Sequence, residues 1–163
     1  MRLKMGIKRF INAQQQDHAK VVQELTSGYK SSCWMWYTFP QIKGLGYSPT
    51  AKYYEIQNLE ELQSFVNNEY LANNLRECCS IILNLHLTDP VRIFGPIDAK
   101  KLQSSMTLFL HTKEFHKIAQ KVLNKYFGGR IDSQSEQIIQ ELESHKKYTF
   151  RQWIANHSHR KSK

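Results

Sequence analysis

Ser31-Ser32-Cys33-Trp34-Met35-Trp36-Tyr37-Thr38-Phe39-Pro40-Gln41, running on through Gly44-Leu45-Gly46-Tyr47-Ser48, is the stretch around which the rest of the chain is read. It sets two tryptophans, two tyrosines and a phenylalanine among polar groups and glycines. Aromatic side chains bury the largest areas of any residue and gain roughly 0.5–1.5 kcal/mol more when paired, so a cluster this dense either anchors a core or lines a pocket. The residue before a proline avoids helical angles, so a helix begun at Trp34 must stop before Pro40. The spacing predicts a short helix over 34–37 with Ser31 or Ser32 as its N-cap, then a loop marked by Gly44 and Gly46.

On the N-terminal side, Phe10, Ala13, Ala19, Val22 and Leu25 fall at helical spacing and Gly28 stands where a helix stops. The polar insert Gln14-Gln15-Gln16-Asp17-His18 is read as surface or as holding one inward member. On the C-terminal side the caps recur. Ser48-Pro49 is an N-cap followed by an N1 proline, Asn58 with Glu61 has the spacing of a capping box, and Asp89-Pro90 repeats the first signal. Leu71, Leu75, Cys78, Ile82 and Leu85 form one stripe, which makes Cys78 a core residue. Gly95-Pro96 breaks the turn opened at Pro90. Asp98 then caps a helix with Leu102, Met106 and Phe109 inward, and Thr112 caps one carrying Phe115, Ile118, Ala119, Val122 and Tyr126 up to Gly128-Gly129. Asp132 or Ser133 opens a last helix with Ile138, Ile139 and Leu142. With no sustained two-residue alternation, the chain reads as all-α, a compact single domain of about seven to eight helices.

The 163 residues carry a formal charge of +9, placed at the ends. Residues 1–9 hold four basic residues and no acid, and residues 144–163 hold six and no acid, leaving 13 basic and 14 acidic residues between. The chain therefore divides into a basic N-terminal segment (1–9), a helical domain (10–143) and a basic C-terminal extension (144–163). Basic ends suit nucleic acid or an acidic protein, or serve simply as solubilising tails. Three cysteines, Cys33, Cys78 and Cys79, two of them adjacent, read as reduced thiols of a cytoplasmic protein. No run approaches the ~20 apolar residues of a membrane span, so no membrane partner is expected.

In order along the chain, Arg9-Phe10 with Ala13-Gln14, Trp34-Met35-Trp36, Phe39-Pro40-Gln41, Gly44-Leu45-Gly46 and Ser48 resemble the opening of the bacterial family catalogued as domain of unknown function 1810, whose members are sometimes labelled calpastatin. Leu75-Arg76-Glu77, Ile93-Phe94-Gly95, Asp98 with Lys101-Leu102, Ser104 through Phe109, and Phe127-Gly128-Gly129 with Asp132 match the later motifs. The resemblance implies a compact all-helical fold and leaves the biochemistry open. Cys33 departs from it, standing where a histidine is expected before Trp34.

The candidate site joins the central stretch to the helix that follows Asp98. Lys101 and Ser105 lie four apart on one helical face with Ser104 nearby, and a lysine and hydroxyls beside tryptophans can hold a flat anion such as a nucleotide. The same serines can instead let two helices approach closely. The expected ligand site is Trp34, Trp36, Gln41, Ser48, Lys101, Ser104 and Ser105, with Asp98 or Glu77 as proton-transfer candidate where hydrolysis occurs. The alternative is a non-catalytic binding module acting through its basic termini. There is no Cys-x-x-Cys, His-Glu-x-x-His or Gly-x-Ser-x-Gly pattern, so no metal or cofactor is expected. A monomer or homodimer is expected.

Overall fold

Phe10, Val21 and Leu25 line the buried stripe of α1 (Lys8–Ser27), the first helix of the computed structural model, which describes residues 6–158. Gly28 ends it at φ 76°, a left-handed conformation natural to glycine, and its N–H bonds the Leu25 carbonyl. The polar insert divides. Gln14 is buried, donating to Tyr37 O at 2.8 Å and accepting from Asn74 at 3.0 Å, whereas Gln15 and Gln16 stay exposed.

The central stretch gives α2 (Met35–Thr38), but neither serine caps it. Ser31 N, Ser32 N, Ser32 Oγ and Trp34 Nε1 all donate to the carboxylate of Glu24 in the last turn of α1. The Ser32 hydroxyl is thus engaged as a donor to a charge-assisted acceptor, and no side chain accepts from the first N–H groups of α2. α3 (Pro49–Tyr54) is capped by Ser48, whose Oγ accepts from Ala51 N at 3.1 Å. α4 (Leu59–Asn67) is capped by Asn58, which accepts from Glu61 N at 2.8 Å. The other half of the capping box is diverted, because the Glu61 carboxylate turns to the guanidinium of Arg9 at 2.6 and 3.0 Å. Arg9, grouped from sequence with the basic N-terminal segment, is thus a buried member of α1 at 1% exposure; residues 1–5 of that segment lie outside the described residues.

α5 (Glu69–Asn84) carries Leu71, Leu75, Cys78 and Ile82 inward as its stripe requires. Cys79 is buried beside Cys78, and burial pushes the Cys78 thiol up to about 12 and Cys79 higher, so both stay protonated and unreactive at neutral pH. α6 (Pro90–Phe109) is two helical pieces joined at Gly95, where φ 79° and ψ 166° interrupt the helix. Asp98 consequently sits inside the second piece, behind Pro96, and pairs with lysines instead of capping. Only glycine adopts the Gly95 geometry without strain, and a Cβ there would meet no atom within 4 Å. Gly95→Ala is therefore expected to cost about 1–3 kcal/mol through the backbone alone, read as a lowered urea midpoint at unchanged m. A loss below a few tenths would mean that the joint bends freely.

Thr112 closes a turn, accepting from Phe115 N at 3.1 Å, and α7 (His116–Phe127) begins after it. Asp132 caps α8 (Ser133–Ser158), accepting from Ser135 N at 3.0 Å. α8 runs unbroken across the boundary drawn at 143/144, so residues 144–158 continue a domain helix; 159–163 lie outside the described residues.

These eight helices pack α1 on α5, α5 on α7, α7 on α6, and α6 on the first half of α8. A line of rings, Phe10 edge-on to Phe65 at 5.2 Å, Phe65 tilted against Phe109 at 5.5 Å and Phe109 edge-on to Phe115 at 5.8 Å, runs through the core. Among the described residues there is no strand, only a parallel bridge between Ile42 and Ile56. It fixes the loop after α2, with Ile56 N bonding Gln41 O at 2.8 Å and Lys43 N bonding Ile56 O at 2.9 Å. No helix among the described residues is long and apolar enough to cross a membrane.

Candidate functional site

Trp34 and Trp36 are two residues apart, which on a helical turn puts them on nearly opposite sides. Trp34 is fully buried, its indole N–H on Glu24 at 3.1 Å. Trp36 is half-buried and faces α6. Between them runs a chain of charges. The Lys30 ammonium lies over the Trp34 ring at 5.0 Å and pairs with Asp98 Oδ2 at 2.7 Å. Asp98 Oδ1 meets Lys101 at 3.6 Å, and Lys101 lies over the Trp36 ring at 4.9 Å. Two lysines share one carboxylate, so the surface over Trp36 keeps an excess positive charge.

A cleft of about 440 Å³ opens beside Lys101, within the range of small-molecule sites. Its walls are the loop from Gln41 to Tyr47 on one side and Lys100, Lys101 and Ser104 on the other. Asp132 stands at one end, while Pro96 and Ile97 separate the cleft from a second hollow of about 330 Å³ that reaches Lys30, Cys33 and Asp98. Exposed rims are supplied by Tyr47 at 86% and Ile97 at 73%.

Several polar groups here are unspent. The Gln41 amide bonds no other described residue and Lys100 has no ionic partner among them, while Trp36, which lines a small neighbouring hollow and not the cleft, has a buried Nε1 without a hydrogen-bond partner among the described residues. Ser104 Oγ is used, donating to Lys100 O at 3.2 Å. Asp132 is used as the α8 cap, and its N–H donates to Thr107 Oγ1 at 2.9 Å.

Of the residues grouped from sequence, the structure brings Gln41, Lys101 and Ser104 to the cleft, with Trp36 beneath Lys101 and Asp98 behind it. Trp34 is a core residue and supplies no wall. Ser48 is the exposed cap of α3. Ser105 is fully buried without a partner, which fits close packing of α6 and not ligand contact. Glu77 is exposed on α5, paired with His18 at 2.9 Å. Cys33, in the place where the resemblance expects a histidine, is an exposed free thiol in the second hollow. Lys30, Tyr47 and Lys100 lie outside that group; Lys30 sits just before the aromatic stretch, and its pairing with Asp98 is a tertiary effect without a local signal. Among the described residues no group of histidine, cysteine and acid side chains is arranged to hold a metal.

An all-helical domain with a lysine-lined cleft is the class that fold and site define. The chain belongs to the family described as protein of unknown function (DUF1810), which matches residues 4–153. It is similar to the crystal structure of the conserved hypothetical protein Rv1873 from Mycobacterium tuberculosis, with 39% identity and a TM-score of 0.79 over 82% of this chain and 95% of that one. None of the curated proteins compared matches it.

Proposed function

We propose that the cleft between the Gln41–Tyr47 loop and α6 binds a nucleotide-like small anion. The observation that carries this reading is the set of unspent groups at one place. Lys100 offers an unpaired positive charge and Lys101 one shared with Asp98, the Gln41 amide lacks a partner among the described residues, and the exposed Tyr47 ring is placed to stack on a flat ring. Buried polar groups are normally satisfied, so donors left open beside a cleft of this size suit a ligand with acceptor oxygens. Binding draws more support than hydrolysis. Both Asp98 oxygens are held by lysines, Glu77 is on another helix, and Asp132 is committed to capping.

Thermal unfolding against nucleotides, dinucleotides and sugar phosphates tests this, with Lys101→Ala and Gln41→Ala alongside. A ligand at 100 times its Kd should stabilise by about 2.7 kcal/mol, and the shift should vanish in both variants. A flat panel, or a shift that both variants retain, would refute the site.

A further inference from the structure

Two hollows of about 580 and 460 Å³ lie end to end between α4 and α8, joined across Leu59, Glu60 and Lys146. One end is apolar, walled by Leu142, Phe150 and Trp153. The other is polar, with Gln63, Asn67 and His111. We propose that this groove docks an acidic peptide segment carrying an aromatic or aliphatic anchor: the anchor fills the apolar end, and carboxylates meet Lys146 in the groove and Lys147 and Arg151 on the flank of α8 beside it.

Three features argue for that occupant. Large apolar side chains that the domain does not cover concentrate here: Tyr148, Phe150, Trp153 and Ile154 are between 45 and 63% exposed within seven residues. The aromatic wall is ordered by its own stacking, Phe150 on Trp153 at 6.4 Å and Trp153 on His157 at 4.3 Å. The charge is one-sided as well. Residues 144–158 contain no acid, and Lys146, Lys147 and Arg151 form no ion pair with another described residue. Of the two acids lining the groove, Glu143 is already turned to His111 at 3.4 Å, which leaves Glu60 against Lys146, with Lys147 and Arg151 on the adjoining flank of α8 adding charge outside the lining.

Other occupants fit less well. A second copy would bring two acid-free helix segments together. A bilayer presents a flat surface, whereas Leu59 and Leu142 line a hollow between α4 and α8. A nucleic-acid strand satisfies the cations and stacks bases on the exposed Phe150 and Trp153, but leaves the aliphatic part of the hollow at Leu59 and Leu142 unfilled. An amphipathic peptide satisfies both ends at once.

The test is selection of displayed random short peptides on the full chain, followed by binding of the enriched peptide to Lys146→Glu and Trp153→Ser, with circular dichroism to verify their folding. Both residues lie on the surface half of α8, so the core helices should be unaffected. The expected result is enrichment of aspartate and glutamate around a leucine, phenylalanine or tryptophan, with affinity falling by at least about tenfold in each variant. A basic consensus, no consensus, or affinity unchanged by both variants would overturn the proposal. So would a single-stranded oligonucleotide or phosphatidylserine vesicles binding in a Trp153-dependent manner where no peptide is selected, or a dimer that Trp153→Ser dissolves.

Discussion

Arg9→Ala is expected to cost about 3–5 kcal/mol, enough to leave a domain of this size partly unfolded at 25 °C. The guanidinium carries five N–H donors, and all five are used. Nε donates to Tyr53 O at 2.7 Å, one Nη2 bond goes to Glu55 O at 2.7 Å, one Nη1 bond goes to Gly6 O, and the remaining two grip Glu61 in a fork. The group therefore ties α1 to both the end of α3 and the start of α4. Removing it leaves the Glu61 carboxylate, only 13% exposed, without its counter-charge. Breaking a buried pair from one side costs more than the pair contributes, because the surviving charge must be desolvated without compensation. Removing both partners isolates that term: Arg9→Ala with Glu61→Ala should recover part of the loss but not all, since the Tyr53 carbonyl still lacks its donor. Arg9→Lys should fall between, as an ammonium cannot reproduce the fork. Urea unfolding of the four proteins is the measurement. A single-variant loss under about 1 kcal/mol would place Arg9 among ordinary surface charges.

This arginine also marks the limit of what the sequence displayed. Signals that act within one helical turn were legible: Ser48 before Pro49, Asn58 three before Glu61, Asp89 before Pro90 and Gly28 after α1 all behave as their local chemistry dictates. Periodic stripes were legible for the same reason, since burial of one face depends only on spacing. Partnerships across the fold were not. Arg9 and Glu61 are 52 residues apart, and although Arg9-Phe10 opens the motifs that carry the family resemblance, nothing in that motif points to burial against Glu61. Charge counted by segment therefore assigned a core residue to a tail.

The candidate site shows the same division at finer scale. The aromatic stretch and the lysine-serine helix were recognised as belonging together, and the structure does set Gln41, Lys101 and Ser104 around one cleft. Which side of each pair faces it was not readable. Trp34 and Trp36, or Ser104 and Ser105, have equal chemistry, and only the direction in which the chain presents them leaves Trp36 half-buried against a core Trp34 and gives Ser104, and not Ser105, to the cleft wall. Spacing within one short helix leaves that direction open until the helix has neighbours.

The largest pH effect should come from Glu24. Burial by itself raises a carboxyl pKa, but the hydrogen bonds from Ser32 Oγ, Ser31 N, Trp34 Nε1 and Ser32 N outweigh it and hold this one at about 2, against 4.5 when unperturbed. A carboxyl held down in the folded state binds fewer protons there than in the unfolded chain, so stability rises with pH through that window. The contribution, about 3 kcal/mol, is fully present above pH 4.5 and is lost as pH falls towards 2. Glu136, lowered by its bonds to Gln140 and His111 against the opposing effect of burial, adds in the same direction. Glu24→Gln separates the two. At neutral pH the variant should be less stable by about 2–3 kcal/mol, since a neutral amide offers a weaker acceptor to four donors and turns an N–H towards some of them. That difference should shrink steadily below pH 4.5 and nearly vanish near pH 2, where the wild-type carboxyl is itself becoming protonated. Trp34 fluorescence should follow, because its indole N–H shares this acceptor. A difference between the two proteins that stays constant from neutral pH to pH 3 would mean that Glu24 acts through packing and not through its charge.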